Sequence, residues 1–506
     1  MGEILAFVLY FTAMLSIGLL FWWKDRKSGA ENESGYFLGG RKMGPYVTAL
    51  SAQASDMSGW LLMGLPGSIL AAGFGEVWVA IGLAIGTYLN WLFVAKRLRN
   101  FSQVAGDSIT IPQYLNNRFK AKGKTLQVIS AVIFFVCFTL YVASGYKAGA
   151  ALFSTVLGLE SEAVAMIIFA VIMLAYTFFG GFKAVCWTDF FQALLMLVAI
   201  TFLPIFILST EPLNFAGITA ANSNYFNFLP SGKFDWASIS TILSGLAWGL
   251  GYCGMPHILV RFMSIKSAKL IKPSRRVATV WVVITLAMAA LIGVVGAAMT
   301  GLVEPGKEEM VFINMVRGTL PPFIAGIFLS AILAAAMSTA DSQLLVASSA
   351  FTSDIYKPII KKNASEKEVM WVGKIVVMVI GVLAYVLALF LPSSIMDLVG
   401  NAWAGFGAAF GPVIILSLYW KRFTYKGAIA GMIAGGATVI IWISVGLAGI
   451  TGLYELFPGF IVGMVACIVG SYLDKSDRTE IEKLFDIAVK FDDIEEDVKS
   501  EEVVAE

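Results

Sequence analysis

Apolar residues run through this chain in long blocks, separated by short clusters of lysine, arginine, aspartate and glutamate. About thirteen blocks have the ~20-residue length that crosses a bilayer as a helix. They fall near residues 3–23, 46–73, 77–95, 126–157, 161–180, 189–209, 236–260, 277–301, 321–349, 369–391, 398–419, 427–446 and 454–473. The pattern predicts an all-α polytopic membrane protein with about 13 transmembrane helices over residues 1–475. The first block follows Met-Gly-Glu without the basic start, short core or cleavage site of a signal peptide, so it reads as a retained span.

The charges between the blocks are distributed unevenly. With the N-terminus placed outside, the inner loops carry roughly 26 Lys and Arg, and the outer loops about three: Lys233, Lys307 and Arg317. That asymmetry predicts an external N-terminus and a cytoplasmic C-terminus in the cytoplasmic membrane. The overall net charge of +2 conceals it. Residues 476–506 form an acidic tail, "FDDIEEDVKSEEVVAE" at its end, which reads as solvated and partly disordered.

Two blocks depart from the pattern. The second, "SAQASDMSGWLLMGLPGS" (51–68), holds an aspartate, serines, and glycines on both sides of a proline. The seventh reads "GLAWGLGYCGMP" (245–256). As one straight helix, 46–73 would be about 40 Å long, too long for a ~30 Å core. Each block opens a set of five, and the two sets run in opposite directions, giving repeats of roughly 46–209 and 236–419. Paired interrupted helices at matching places in inverted halves mark a secondary transporter with a 5+5 inverted-repeat core. Irregular backbone is tolerated at membrane depth only where it lines a cavity or meets protein, so the interruptions mark the binding site.

The chemistry concentrates at these places. Asp56 is a costly residue in an apolar span; it either serves a cation or caps the helix break. The carbonyls of Ala54 and Met57 flank it, and such freed carbonyls are hard ligands suited to an alkali cation. In the ninth block Ala335, Ser338, Thr339 and Ser342 share one helical stripe roughly 100° wide at 100° per residue. Their hydroxyls either complete an oxygen cage or bond back to their own helix. Asp341, at the edge of that stripe, joins a second cation site or faces a wet vestibule. Asp189, with Gln192 three residues later, either starts a helix or lies on a cation exit path. Trp60, Tyr141, Trp248, Tyr252 and Pro256 offer apolar walls with polar tips for a small ring-like solute, or simply pack. His257 reads as packing beside Pro256.

A single histidine excludes bis-histidine haem, and four cysteines without a CxxC pair read as small buried hydrophobes. No Walker A lysine motif, HExxH, GxSxG or basic–aromatic nucleic-acid patch is present. The chain is therefore expected to be no enzyme, to bind no nucleic acid and to need no obligate protein partner.

The segment 51–68 together with "GGFKAVCWTD", "GLAWGLGYCGMPHILVRFM" and "LSAILAAAMSTADSQLLVASSAFTSDIY" resembles the solute:sodium symporter family, and the resemblance runs over roughly residues 1–475. It implies sodium-coupled uptake of L-proline, with a sodium ion bound by the carbonyls of Ala54, Met57 and Ala335 and the hydroxyls of Ser338 and Thr339. Asp56 matches an essential aspartate of the family, and Asp189 one near a second sodium site or the exit route. Ser58, Gly59, Trp60, Tyr141, Trp248, Tyr252 and Pro256 match positions that line or close the solute pocket. The rival within this fold is a symporter for another amino acid or for pantothenate.

Overall fold

In the computed structural model, residues 1–27, 33–179, 181–299 and 301–504 are described. Residues 28–32 of the first basic loop, Gly180 at the end of the fifth expected span, Thr300 and the final two tail residues lie outside that set. Apart from an isolated bridge between Met43 and Ile265, the described residues form helices and turns.

The chain opens with α1 (Gly2–Lys27). Helices α2 (Pro45–Asp56) and α3 (Leu65–Ala72) are two halves of one interrupted helix. After them α4 (Val77–Leu89) continues through Asn90–Val94 into Ala95–Val104. Helices α5 (Thr125–Leu157), α6 (Glu162–Phe179) and α7 (Phe182–Thr210) complete the first half. A second interrupted helix follows, α8 (Trp236–Gly251) and α9 (Pro256–Ser264). Then come α10 (Ile271–Ala298), α11 (Pro322–Phe351), α12 (Glu366–Phe390) and α13 (Ile395–Tyr419). The chain ends with α14 (Tyr425–Val445), α15 (Leu456–Leu473) and α16 (Thr479–Val504). Among the described residues, ten helical stretches are long and apolar enough to cross a membrane. The three other expected spans are helical too, but two are interrupted and α6 is shorter.

The packing repeats itself when the halves are exchanged. The first interrupted helix lies on α10 and the second on α4 with its continuation. Helix α2 packs on α7, as α8 and the turn after it pack on α13. Helix α5 touches α6, α12 and α13, while α11 touches α12, α6 and α7; α5 and α11 touch each other. Glycine sets the closest of these crossings. Gly82 and Gly86 of α4 face Gly245 and Gly249 of α8, and a Cβ on Gly245 would sit 2.6 Å from the Trp78 carbonyl carbon. Two small-xxx-small stripes thus let the backbones meet.

Proline and capping groups place the interruptions. Pro45 starts α2 and Pro256 starts α9, each in the first turn where its missing N–H costs nothing. Between α2 and α3 the chain leaves the helix at Met57 (φ −83°, ψ 80°), then re-enters through a wide turn in which Leu65 N–H bonds the Trp60 carbonyl. At α8 the Asp235 carboxylate caps the helix by accepting from Ser238 N–H at 3.0 Å.

Basic residues collect at one end of the bundle, called here the basic end. Arg41 pairs with Asp107 at 2.7 Å and donates to the carbonyls of Met263 and Ser108. Burial draws the Arg41 guanidinium below its ordinary value, with Asp107 pulling the other way. Arg99 donates to the Ile265 carbonyl at 2.7 Å. These bonds hold the end of α9 to the loop after α1 and to the helical continuation of α4.

The tail departs from expectation. Residues from Thr479 form α16, and Ile481, Leu484, Phe485 and Ala488 are buried. Phe485 stacks edge-on with Phe101 and lies under Arg118, while Asp486 pairs with Lys421 at 2.7 Å. The spacing of those four residues makes an apolar stripe that the acidic composition obscured.

Candidate functional site

The first interruption frees backbone carbonyls, that of Ala54 among them. In an unbroken helix Ser58 N–H would bond Ala54; here it bonds the Asp56 carbonyl at 3.0 Å, while Met57 N–H still reaches Gln53 at 2.9 Å. The Ala54 oxygen is taken instead by α11: the Ser338 hydroxyl donates to it at 2.8 Å and the Thr339 hydroxyl at 3.4 Å. The Ser338 hydroxyl also lies 3.2 Å from the Ala335 carbonyl. Two carbonyls and two hydroxyls therefore meet in a fully buried spot, at the seam between α2 and α11. The alternative in which the hydroxyls serve only their own helix does not describe this geometry. Met57, also fully buried, sits at the point where the backbone turns.

Asp56 does not cap the break through its carboxylate. Its Oδ2 accepts from the Tyr252 hydroxyl at 2.5 Å, and its Oδ1 meets no partner among the described residues. This one bond joins the first interruption to the second. The Asp56 carbonyl meanwhile accepts from Trp60 Nε1 at 3.1 Å and from the Tyr141 hydroxyl at 3.3 Å. Gly59 lets α5 approach, since a Cβ there would lie 2.7 Å from the Cβ of Ala148. Ser58, Trp60, Tyr141, Tyr252 and Pro256 are all buried around this junction.

The second interruption is lined by rings. Trp248 stacks on Tyr454 with centroids 5.0 Å apart, and its carbonyl accepts from Trp403 Nε1 at 2.8 Å. Tyr252 stands perpendicular to Trp403 at 5.1 Å. Asn90 donates to the Tyr252 carbonyl at 3.1 Å, tying the turn to the end of α4. A Cβ on Gly254 would meet the Phe406 carbonyl at 2.5 Å, so the backbone of the turn lies directly on α13. Trp403, Tyr454 and Asn90 escaped the sequence reading. The signal available for Trp403 was its place in "NAWAGFG", where two rings, Trp403 and Phe406, stand among small residues.

Asp189, Asp341 and Ser342 come together elsewhere, around a residue not foreseen. Arg261 of α9 pairs with Asp189 Oδ2 at 3.1 Å, and that oxygen also accepts from the Ser51 hydroxyl at 2.7 Å. Arg261 further donates to Ser51 Oγ at 3.1 Å, to Ser342 Oγ, and to the His257 carbonyl at 2.7 Å. Ser342 lies 3.4 Å from Asp341 Oδ1, while Asp189 Oδ1 and Asp341 Oδ2 have no partner among the described residues. Ser51 is three residues before Ala54 and Ser342 three after Thr339, so this cluster lies about one helical turn, ~5 Å, nearer the basic end. Asp189 starts no helix: α7 begins at Phe182, seven residues earlier. Asp341 faces no wet vestibule, being fully buried.

No group of three or more His, Cys, Asp or Glu that could hold a metal occurs among the described residues. What the breaks offer is neutral, hard oxygen with one carboxylate nearby, which suits a singly charged hard cation, and beside it an aromatic wall. Two interrupted helices that meet through one carboxylate, inside a bundle whose halves pack alike, define a helical secondary transporter.

The comparisons agree and sharpen this. The sodium:solute symporter family matches residues 36–435, and the chain belongs to that family. It is 45% identical to the osmoregulated proline transporter OpuE of Bacillus subtilis, over 96% of this chain and 98% of that one. It is 43% identical to the sodium/proline symporter of Escherichia coli, over 95% of each. Among solved structures, a Na+-coupled sialic acid symporter in a substrate-bound outward-open state superposes with a TM-score of 0.76 at 20% identity, over 94% of this chain and 98% of that one. MhsT in complex with L-phenylalanine reaches 0.53 at 14% identity, over 85% and 97%. These two likenesses speak to the fold.

Proposed function

We propose that this chain takes up L-proline with sodium as the coupling ion, by alternating access, and catalyses no covalent chemistry. The basic end is cytoplasmic, which sets the N-terminus outside and the C-terminus inside. Residues 1–475 form one transporter domain, with repeats over roughly 46–209 and 236–419 and the tail from 476 on the cytoplasmic side.

The observation that carries the reading is the Ala54 carbonyl, freed from its own helix and shared by Ser338 and Thr339 of the opposite half. Sodium bound by Ala54, Met57, Ala335, Ser338 and Thr339 would draw α2 against α11, with Asp56 close by. That order passes through the Asp56–Tyr252 bond to the second interruption, where Ser58, Gly59, Trp60, Tyr141, Trp248, Tyr252 and Pro256 enclose the imino acid. Asp189, Asp341 and Ser342 stand one turn further in, on the path a released ion would take. The names of the relatives, proline transporter and sodium/proline symporter, favour proline over pantothenate or another amino acid.

Each elementary charge entering through 100 mV supplies about 2.3 kcal/mol, roughly a forty-fold accumulation. The test is uptake of radiolabelled L-proline by the purified protein in liposomes. Uptake is expected only with an inward sodium gradient and should rise with an inside-negative potential. Equal accumulation in potassium buffer, with the proton gradient collapsed, would contradict the reading.

A further inference from the structure

Arg261 lies in the inner half of the second interrupted helix, α9, and its side chain is 1% exposed. Its oxygen partners come from four helices. Nε donates to Ser51 Oγ of α2 at 3.1 Å, and Nη1 to the His257 carbonyl of α9 itself at 2.7 Å. Nη2 reaches two oxygens at once, Asp189 Oδ2 of α7 at 3.1 Å and Ser342 Oγ of α11. The Phe182 ring lies 5.3 Å from the guanidinium carbon. Asp341 supplies the next charge, its Oδ1 3.4 Å from Ser342 Oγ. Ser51, Asp189, Asp341 and Ser342 are all fully buried.

A carboxylate, two hydroxyls and a carbonyl that converge from separate helices are the donors a hard cation takes. The Ala54 seam, one helical turn away, offers carbonyls and hydroxyls of the same kind. At this second place the positive charge arrives on a side chain. A buried carboxylate needs such a partner, and the planar fork of arginine reaches several oxygens at once, as an ammonium does not. Counted as ionised groups, two carboxylates face one guanidinium, so the cluster keeps a net negative charge even with Arg261 in place. Removing the guanidinium would deepen that excess by one charge, and one monovalent ion among the same oxygens would restore it.

We infer that the Arg261 guanidinium is a tethered cation, standing where a second coupling ion would bind and limiting this chain to one sodium ion per solute. The inference rests on the sodium-coupled reading above and sets its ion count. An ion leaving the Ala54 seam meets oxygens already taken by Arg261. A charge fixed to the chain is not carried across the membrane, so the membrane potential acts on the seam ion alone.

The test counts radioactive sodium bound at equilibrium by the full-length purified protein at saturating L-proline, and follows thermal unfolding in sodium chloride against potassium chloride of equal strength. Wild type is expected to bind about one sodium ion per protein and Arg261→Ala about two, with the unfolding midpoint of the variant gaining more from sodium, because an ion that binds only the folded state stabilises it. Arg261→Lys, which keeps a positive charge, should stay at the wild-type count, and Asp189→Asn added to Arg261→Ala should return to it. Arg261→Ser serves as a second opening variant if the alanine variant does not fold, with the same gain expected. A residue kept only for stability would leave the count unchanged in every folded variant. Two sodium ions in wild type would overturn the inference, as would a wild-type count in a folded alanine or serine variant. If wild-type protein binds no sodium at all, it is the proposed function that fails, and that outcome is read before any variant is compared.

Discussion

At 57–58 the chain leaves its helix among oxygens, with Ser338 and Thr339 on the freed Ala54 carbonyl; at 252–255 it leaves among rings, with Trp403, Trp248 and Tyr454 stacked around the turn. The interrupted helices pack alike when the halves are exchanged, the first on α10 and α7 and the second on α4 and α13, so the backbone plan is shared. What differs is the side chains at each break, from α11 at the first and from α13 at the second. Hydroxyls without charge make a place for a hard cation. Aromatic faces with few donors make a place for a compact apolar ring. A bond from Tyr252 to Asp56 links the two breaks.

Arg261 gives the most severe way to disturb both breaks together, since it reaches Ser51 on α2, His257 on its own helix and Asp189 on α7. Arg261→Gln would leave Asp189 buried without its counter-charge, a loss on the order of 3–5 kcal/mol. The thermal unfolding midpoint in detergent should fall sharply, and Asp189→Asn added to the same chain should restore at least half of the fall. A double variant no more stable than the single would show that the pair does not hold these helices.

Cutting the link between the breaks should be nearly as damaging to transport while sparing the fold. Asp56→Ala is expected to lower sodium-driven proline uptake by about 100-fold, and Tyr252→Phe, which removes only the phenol oxygen, by about tenfold, as judged from charge-assisted hydrogen bonds of ~1.5–3 kcal/mol. Uptake by Tyr252→Phe equal to wild type would mean that the two breaks communicate by another route.

A smaller and more selective effect is expected at the aromatic break. Trp248→Ala removes the ring stacked on Tyr454 and should raise the half-saturating proline concentration by about tenfold, with the sodium midpoint in the absence of proline shifted less than threefold. If the two shift together, the rings are support for the bundle and the division between an ion break and a solute break does not hold.

Much of this was legible in the sequence because it is local. A proline and glycines within an apolar run signal an interrupted helix, and the 3.6-residue period puts Ala335, Ser338 and Thr339 on one face. That this face would meet Ala54, 284 residues away from Ser338, is a matter of topology, and it came from family resemblance rather than from spacing. Partnerships between distant elements that no motif marks were not legible. Asp189 and Ser342 look like cation ligands until Arg261 is seen between them, because nothing near 189 in the chain announces a guanidinium from α9. An aspartate with a glutamine three residues on resembles a cap, so a helix start at Asp189 is one of the two readings its sequence allows; Gly181 and the amphipathic Lys183 conceal a helix that begins at Phe182. The docked tail was missed for a similar reason, its apolar stripe being diluted by acid charges whose partner, Lys421, lies on another loop.

The central claim is that the seam at Ala54 holds the coupling ion, and a sodium titration of proline binding to the solubilised protein tests it directly. Sodium needs about five or six oxygens, and losing one ligand should cost on the order of 1–3 kcal/mol, or roughly 5- to 150-fold in sodium affinity. Ser338→Ala and Thr339→Ala should each move the sodium midpoint up by that factor. Proline affinity should weaken at low sodium and recover at saturation, because binding linkage is reciprocal. Thr339→Ser, which keeps the oxygen, should stay close to wild type. Midpoints within twofold of wild type for both alanine variants would contradict the account, leaving the two hydroxyls as struts between α2 and α11.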